Sequence, residues 1–79
     1  MQIKALFFGA TAAAVGERTI HVDLTEDSNT GEAITAILDV YPKLKKFKLI
    51  FAVNEEYYSG ARVLADGDEL AIFTAVSGG

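Results

Sequence analysis

The residues of this chain best suited to chemistry are its last two, Gly78 and Gly79. They close the stretch Ala75-Val76-Ser77-Gly78-Gly79, which follows a strand-like run. Glycine has no Cβ, so such a tail passes through a narrow channel and takes backbone angles closed to other residues. The group it presents is a terminal carboxylate, ionised at neutral pH. As an anion it is a poor electrophile. Converted to a mixed anhydride, for which an acyl-adenylate made from ATP is the usual form, it accepts a nucleophile. An amine then gives an isopeptide; a sulfur nucleophile gives a thiocarboxylate. Five extended residues reach about 17 Å. That is enough for the tail to enter another protein's active site while its domain docks outside.

No other constellation competes with it. The chain has no cysteine, which excludes disulfides, thiolate zinc sites and a cysteine nucleophile or persulfide on this chain. His21 is the single histidine. Its phase groups it with Thr19 and Asp23, with no serine or second ligand placed to make a triad or a zinc site. Asp66-Gly67-Asp68-Glu69 lacks the spaced oxygens of a calcium loop and reads as a turn with Gly67 at positive φ. Gly9 and Gly16 are not followed by the Gly-Lys-Ser/Thr of a phosphate loop. The expectation is that this chain holds no metal and binds no cofactor, and that ATP belongs to a partner. Lys43, Lys45, Lys46 and Lys48 cluster near a helix end. The ordinary reading of such a run is a solvated face, the sharper one a small anion site.

Seventy-nine residues make one small domain, and a hydrophobic content of 51% supplies a single core. The net charge is −4, from seven basic and eleven acidic residues. That balance disfavours nucleic acid and anionic membranes and suits a basic protein surface. No apolar run approaches the ~20 residues of a membrane span. The first residues lack the basic and apolar regions of a signal peptide. The expected location is cytoplasmic.

The tail needs a rigid base, and the pattern supplies one over residues 1–74, leaving 75–79 as a flexible arm. Ile3 to Phe8 reads as a strand apolar on both faces, hence interior to its sheet. Gly9 to Gly16 is a small-residue connection that can hold a helical turn. Arg18 to Leu24 alternates, with Ile20, Val22 and Leu24 inward, and predicts a half-buried strand antiparallel to the first. Thr30 is the expected N-cap of a helix, with Glu32 in its first turn. Ala33, Ile34, Ile37, Leu38 and Tyr41 carry the 3.6 spacing, and Pro42 ends the helix. Leu44 and Phe47 pin the lysine-rich segment.

Leu49 to Val53 is a further strand, Asn54-Glu55-Glu56 a turn, and Tyr57-Tyr58 a short return strand broken at Ser59-Gly60. Val63 and Leu64 are expected in the core beside the turn at 65–68. Glu69 to Thr74 is the last strand, with Leu70 and Ile72 on one face and Ala71 and Phe73 on the other. One main helix on one face of a mixed sheet is an α+β layer arrangement. Val76, an apolar residue beyond the strand, reads with Phe73 as a docking contact for the protein that receives the tail.

Three stretches stand out together: Phe51-Ala52-Val53-Asn54, Leu64-Ala65-Asp66-Gly67-Asp68-Glu69-Leu70-Ala71-Ile72 and Val76-Ser77-Gly78-Gly79. With them the chain resembles the small subunits of molybdopterin synthase. Lys4-Ala5-Leu6-Phe7-Phe8 and Thr30-Gly31-Glu32-Ala33 also fit. The resemblance implies a β-grasp (ubiquitin-like) fold, chosen on that ground over other α+β folds. It implies a sulfur carrier, itself non-catalytic, whose Gly79 is adenylated and then thiocarboxylated, with Gly78 and Ser77 in the tail.

The implied partners are an adenylating enzyme that uses ATP and Mg, a sulfur donor protein and the large synthase subunit, two small and two large subunits together. The implied acceptor is cyclic pyranopterin monophosphate, which becomes molybdopterin. The family commonly has Pro-Pro before its Val-Ser/Thr-Gly-Gly end; this chain has Thr74-Ala75, a more flexible approach. Related carriers for thiamine, tRNA thiolation or tungsten cofactor, and ubiquitin-like protein modifiers conjugated to lysines, stay open as alternatives.

Overall fold

The computed structural model describes residues 1–57 and 62–74. Strands β1 (Gln2–Phe7), β2 (Thr19–Asp23), β3 (Leu49–Val53), β4 (Glu56–Tyr57) and β5 (Glu69–Thr74) form one sheet in the order β2-β1-β5-β3-β4. Helices α1 (Ala10–Val15) and α2 (Thr30–Val40) and a 3₁₀ turn (Pro42–Lys46) complete the described elements. β1 and β5 run parallel; β1–β2, β3–β4 and β3–β5 are antiparallel. A mixed sheet with a helix packed on one face is the β-grasp arrangement. β1 lies inside the sheet; its inner face is apolar throughout, and its outer face carries Gln2 and Lys4 before Leu6.

Alternation sends Ile3, Ala5 and Phe7 of β1 and Leu70 and Ile72 of β5 to the inner face. There they meet Ala33 and Ile37 of α2, with Leu44, Val53 and Leu64 in the same core. The inward stripe of β2, Ile20 and Val22 with Leu24 after it, packs at the margin of that core. Tyr41 at the end of α2 meets Phe7 edge-on, ring centroids 6.2 Å apart. Pro42 then opens the 3₁₀ turn, whose Leu44 is buried, with Phe47 half-buried behind it. No helix among the described residues is long and apolar enough to cross a membrane.

Three expectations need correction. The cap of α2 is Asn29, not Thr30. Asn29 has extended backbone, and its Oδ1 accepts from the Glu32 N–H at 2.9 Å. The Glu32 carboxylate accepts from the Asn29 N–H at 3.1 Å. This reciprocal pair requires a spacing of three, which Asn29 and Glu32 have and Thr30 does not. Thr30 is instead the first helical residue, buried, its hydroxyl accepting from the Arg62 N–H at 3.2 Å.

Val63 is 62% exposed and outside the core. Residues 62–64 run beside 28–30, with the Leu64 N–H donating to the Ser28 carbonyl and the Thr30 N–H to the Arg62 carbonyl. Extended backbone there turns Leu64 inward and Val63 outward.

The β3–β4 connection is a two-residue turn, Asn54 at φ 49° and Glu55 at φ 71°, so Glu56, expected in the turn, instead opens β4 opposite Val53. These angles match the twist of a tight hairpin. Tyr58 and the break at Ser59-Gly60 lie outside the described residues.

Candidate functional site

β5 is the element that carries the chain toward its end, so the site is built on it. It lies between β1 and β3, with Ile72 beside Phe7 and Phe51, Phe73 beside Ile50, and Thr74 beside Leu49. Leu70 and Ile72 point into the core, so Ala71 and Phe73 emerge on the face opposite α2. Leu6 of β1 shares that face, and Phe8, just past the end of β1, stacks on Phe73. Their ring centroids are 4.9 Å apart and the planes 18° apart.

With Ala52 these residues line an apolar hollow of about 310 Å³, edged by Glu55 and Glu69. Phe8 is 46% exposed, and Ile50, beside Phe73, is 38% exposed. A Lys4–Glu69 ion pair of 3.7 Å crosses the β1–β5 seam at its margin. An apolar floor with a charged rim has the make-up of surfaces that proteins cover on binding.

Thr11 fixes the end of this strip. Its hydroxyl is fully buried and lies 2.9 Å from both the Phe8 and Ile72 carbonyl oxygens. Its single proton serves one of them at a time. The same oxygen accepts from the Phe8 N–H at 2.9 Å. Gly9, at φ 57°, makes the reversal from β1 into α1 that brings Thr11 there. α1 is thus a clamp tying the outgoing end of β5 to the outgoing end of β1.

The incoming end of β5 is held by Asp68 and Asn54. Asn54 exchanges hydrogen bonds with Glu69: its N–H donates to the Glu69 carbonyl at 2.9 Å, and its Oδ1 accepts from the Glu69 N–H at 3.0 Å. Its side-chain amide donates to Asp68 Oδ1 at 3.0 Å, and the Ala65 N–H donates to Asp68 Oδ2 at 2.8 Å. The Ala65 amide, then Asn54 and the charge of Arg62 hold the Asp68 carboxyl below the usual carboxylate range against a small burial cost. Gly67, at φ 86°, donates to the Gln2 carbonyl, and the Gln2 N–H donates to Asp66. The acidic turn is therefore a structural clasp. Both Asp68 oxygens are occupied within it.

Phe73 stands where the alternation places it, on the open face, half-buried. Val76, Ser77, Gly78, Gly79 and the whole arm 75–79 lie outside the described residues. His21 is exposed beside Lys4, on the strand face it was expected to occupy. Among the described residues no group of three His, Asp or Glu side chains is placed to hold a metal. Sequence reasoning missed Phe8 and Thr11 as site residues. Phe8 had a signal, being in phase with Leu6. Thr11 had none, lying within an alanine-rich run.

Comparison with known proteins places this geometry. The model of the ThiS family matches residues 5–79, a span that includes the Gly78-Gly79 end. The molybdopterin synthase sulfur carrier subunit of Caenorhabditis elegans is 36% identical over 83 aligned positions, covering 100% of this chain and 99% of its own. The crystal structure of the small archaeal modifier protein 1 of Haloferax volcanii superimposes with a TM-score of 0.89 at 30% identity, covering 100% of both chains. A chain in the complex of subunits 1 and 2 of the molybdopterin-converting factor from Helicobacter pylori superimposes with a TM-score of 0.72 at 23% identity, again over 100% of both. That last likeness speaks to fold alone. With the matched span, these relatives and the β-grasp topology together, the chain belongs to the ThiS family.

Proposed function

We propose that this protein is the sulfur carrier subunit of a molybdopterin synthase. The observation that carries the reading is the open-face strip Leu6–Phe8–Ala71–Phe73, which spans β1 and β5 and is tied by Thr11 to the strand that precedes Gly78-Gly79 in the sequence. A carrier needs such a pairing: a fixed docking surface and a thin arm. The subunit name borne by the Caenorhabditis relative supports the choice of cargo.

In this reading the arm delivers Gly79 to an adenylating enzyme, which uses ATP and Mg to form the acyl-adenylate and release pyrophosphate. Sulfide released by a sulfur donor protein attacks the acyl carbon, forming the carbon–sulfur bond as the bond to AMP breaks; the product is a thiocarboxylate, a strong nucleophile near neutral pH. The strip then docks on the large synthase subunit, with Val76 as a second apolar contact. Ser77 and Gly78 thread the channel, and the sulfur passes to cyclic pyranopterin monophosphate. Two small and two large subunits make the assembly. This chain supplies the leash and the reacting carboxylate; the catalytic groups belong to its partners.

The test is removal of Gly79. The truncated protein is expected to keep its fold, since the last residue of a chain beyond the core contributes little to stability, and to lose sulfur transfer in a reconstituted synthase. Full transfer without Gly79 would end the proposal. A second reading has its own observation, the full-length match to an archaeal modifier protein at 30% identity. There the same adenylate is attacked by a lysine amine. Recovery of Gly79 in isopeptide linkage to other proteins would favour it.

A further inference from the structure

Lys43, Lys45 and Lys46 lie on the 3₁₀ turn Pro42–Lys46, and Lys48 just before β3. All four are exposed, while Leu44 and Phe47 hold the segment to the core. Among the described residues none of the four is in an ion pair; the Lys46 ammonium sits 5.3 Å from the centre of the Phe47 ring. The β3–β5 register sets Leu49 beside Thr74. Lys48, next to Leu49, therefore borders the place where β5 passes into residues 75–79, and the 3₁₀ turn that carries the other three packs against α1, which also meets β5.

Charge is unevenly divided. The patch carries +4; the rest of the chain, with three basic against eleven acidic residues, carries −8. Neutralising a helix end accounts for Lys43, Lys45 and Lys46, which fall in the last turn of the 3₁₀ segment. It does not reach Lys48, beyond that turn. At physiological ionic strength charges act over about 8 Å, so the patch reads only the surface brought against it. A long polyanion would also run across the acidic remainder, which favours a compact acidic protein surface over nucleic acid.

We propose that these four lysines dock on an acidic surface of the adenylating enzyme, beside the channel that takes the tail. This rests on the reading that such an enzyme activates Gly79. The apolar strip lies on the open sheet face and Lys48 beside the tail's exit, so an enzyme gripping the lysines receives the tail in a defined direction. Complementary charge of this kind acts mainly on encounter and register.

The test is ATP–pyrophosphate exchange by the purified adenylating enzyme, with the full-length protein as varied substrate at low salt. Lys43→Glu, Lys45→Glu, Lys46→Glu and Lys48→Glu together are expected to raise KM at least about tenfold with kcat little changed. The gap should shrink steeply at high salt. The fourfold Lys→Arg variant should keep the wild-type KM. The fourfold Lys→Gln variant, which adds no repulsion should the Glu variant misfold, should raise KM about threefold. An unchanged KM in the Gln and Glu variants, or equal loss in the Arg variant, overturns the proposal. So does a DNA duplex that binds the wild type but not the Glu variant at physiological salt. Wild-type exchange that persists without Gly79 defeats the activation reading itself, a result separable from an unchanged KM in the lysine variants.

Discussion

Thr11→Val is the sharpest probe of the scaffold. Valine matches threonine in shape but cannot hydrogen-bond. The Phe8 N–H loses its 2.9 Å acceptor, and the shared donor to the Phe8 and Ile72 carbonyls disappears. Leaving a buried polar group unpaired costs about 1–3 kcal/mol. The extra buried methyl offsets about 0.8 kcal/mol of that. The expected net loss is about 0.2–2 kcal/mol, a fall in Tm of up to about 15 °C for a domain of this size. Thr11→Ser also loses stability through its missing methyl but keeps the hydroxyl. Amide hydrogen exchange separates the two: Phe8 loses protection in the valine variant and keeps it in the serine variant. A valine variant with wild-type Tm and a protected Phe8 amide would refute the clamp.

Three further outcomes follow from the same geometry. Asn29→Ala removes the cap of α2 and should cost about 1 kcal/mol in urea unfolding, whereas equal stability would mean the capping box carries nothing. The folded-state pKa of Asp68 is depressed below its ordinary 3.8, so its stabilisation is complete above that value and is lost as pH falls through the lower folded value. Asp68→Asn should therefore be less stable at neutral pH and show a flatter acid limb in urea titrations below about pH 4, an unaltered acid limb being the contrary result. Phe73→Asp should weaken association with the large synthase subunit about 30-fold or more in calorimetry. Its cost to the fold is smaller, about 0.5–1.5 kcal/mol for the lost Phe8 stacking, and undiminished association would remove Phe73 from the interface.

Much of the scaffold was legible because single periodicities governed it. The apolar run of β1 announced an interior strand, and the 3.6 spacing of Ala33, Ile37 and Tyr41 announced the helix over it. Alternation along β5 put Phe73 on the open face. Features that depend on the meeting of distant elements were not legible. Thr11 acts only because α1 folds back against Ile72, far along the chain. Val63 faces water because its segment runs beside residues 28–30, a pairing no local pattern reveals. Asn29 and Thr30 are both good capping types, and the spacing to Glu32 decided between them. The lysine run was visible at once, but only the β3–β5 register brings Lys48 beside the exit of the tail.

The central claim is that Gly79 carries sulfur as a thiocarboxylate. Intact-mass measurement tests it most directly, on protein incubated with ATP, Mg, the adenylating enzyme and a sulfur donor. The expected product is heavier by the exchange of one oxygen for one sulfur, with the change confined to the C-terminal peptide. An unchanged mass, in a reaction where the same enzyme demonstrably forms the adenylate, would contradict the account.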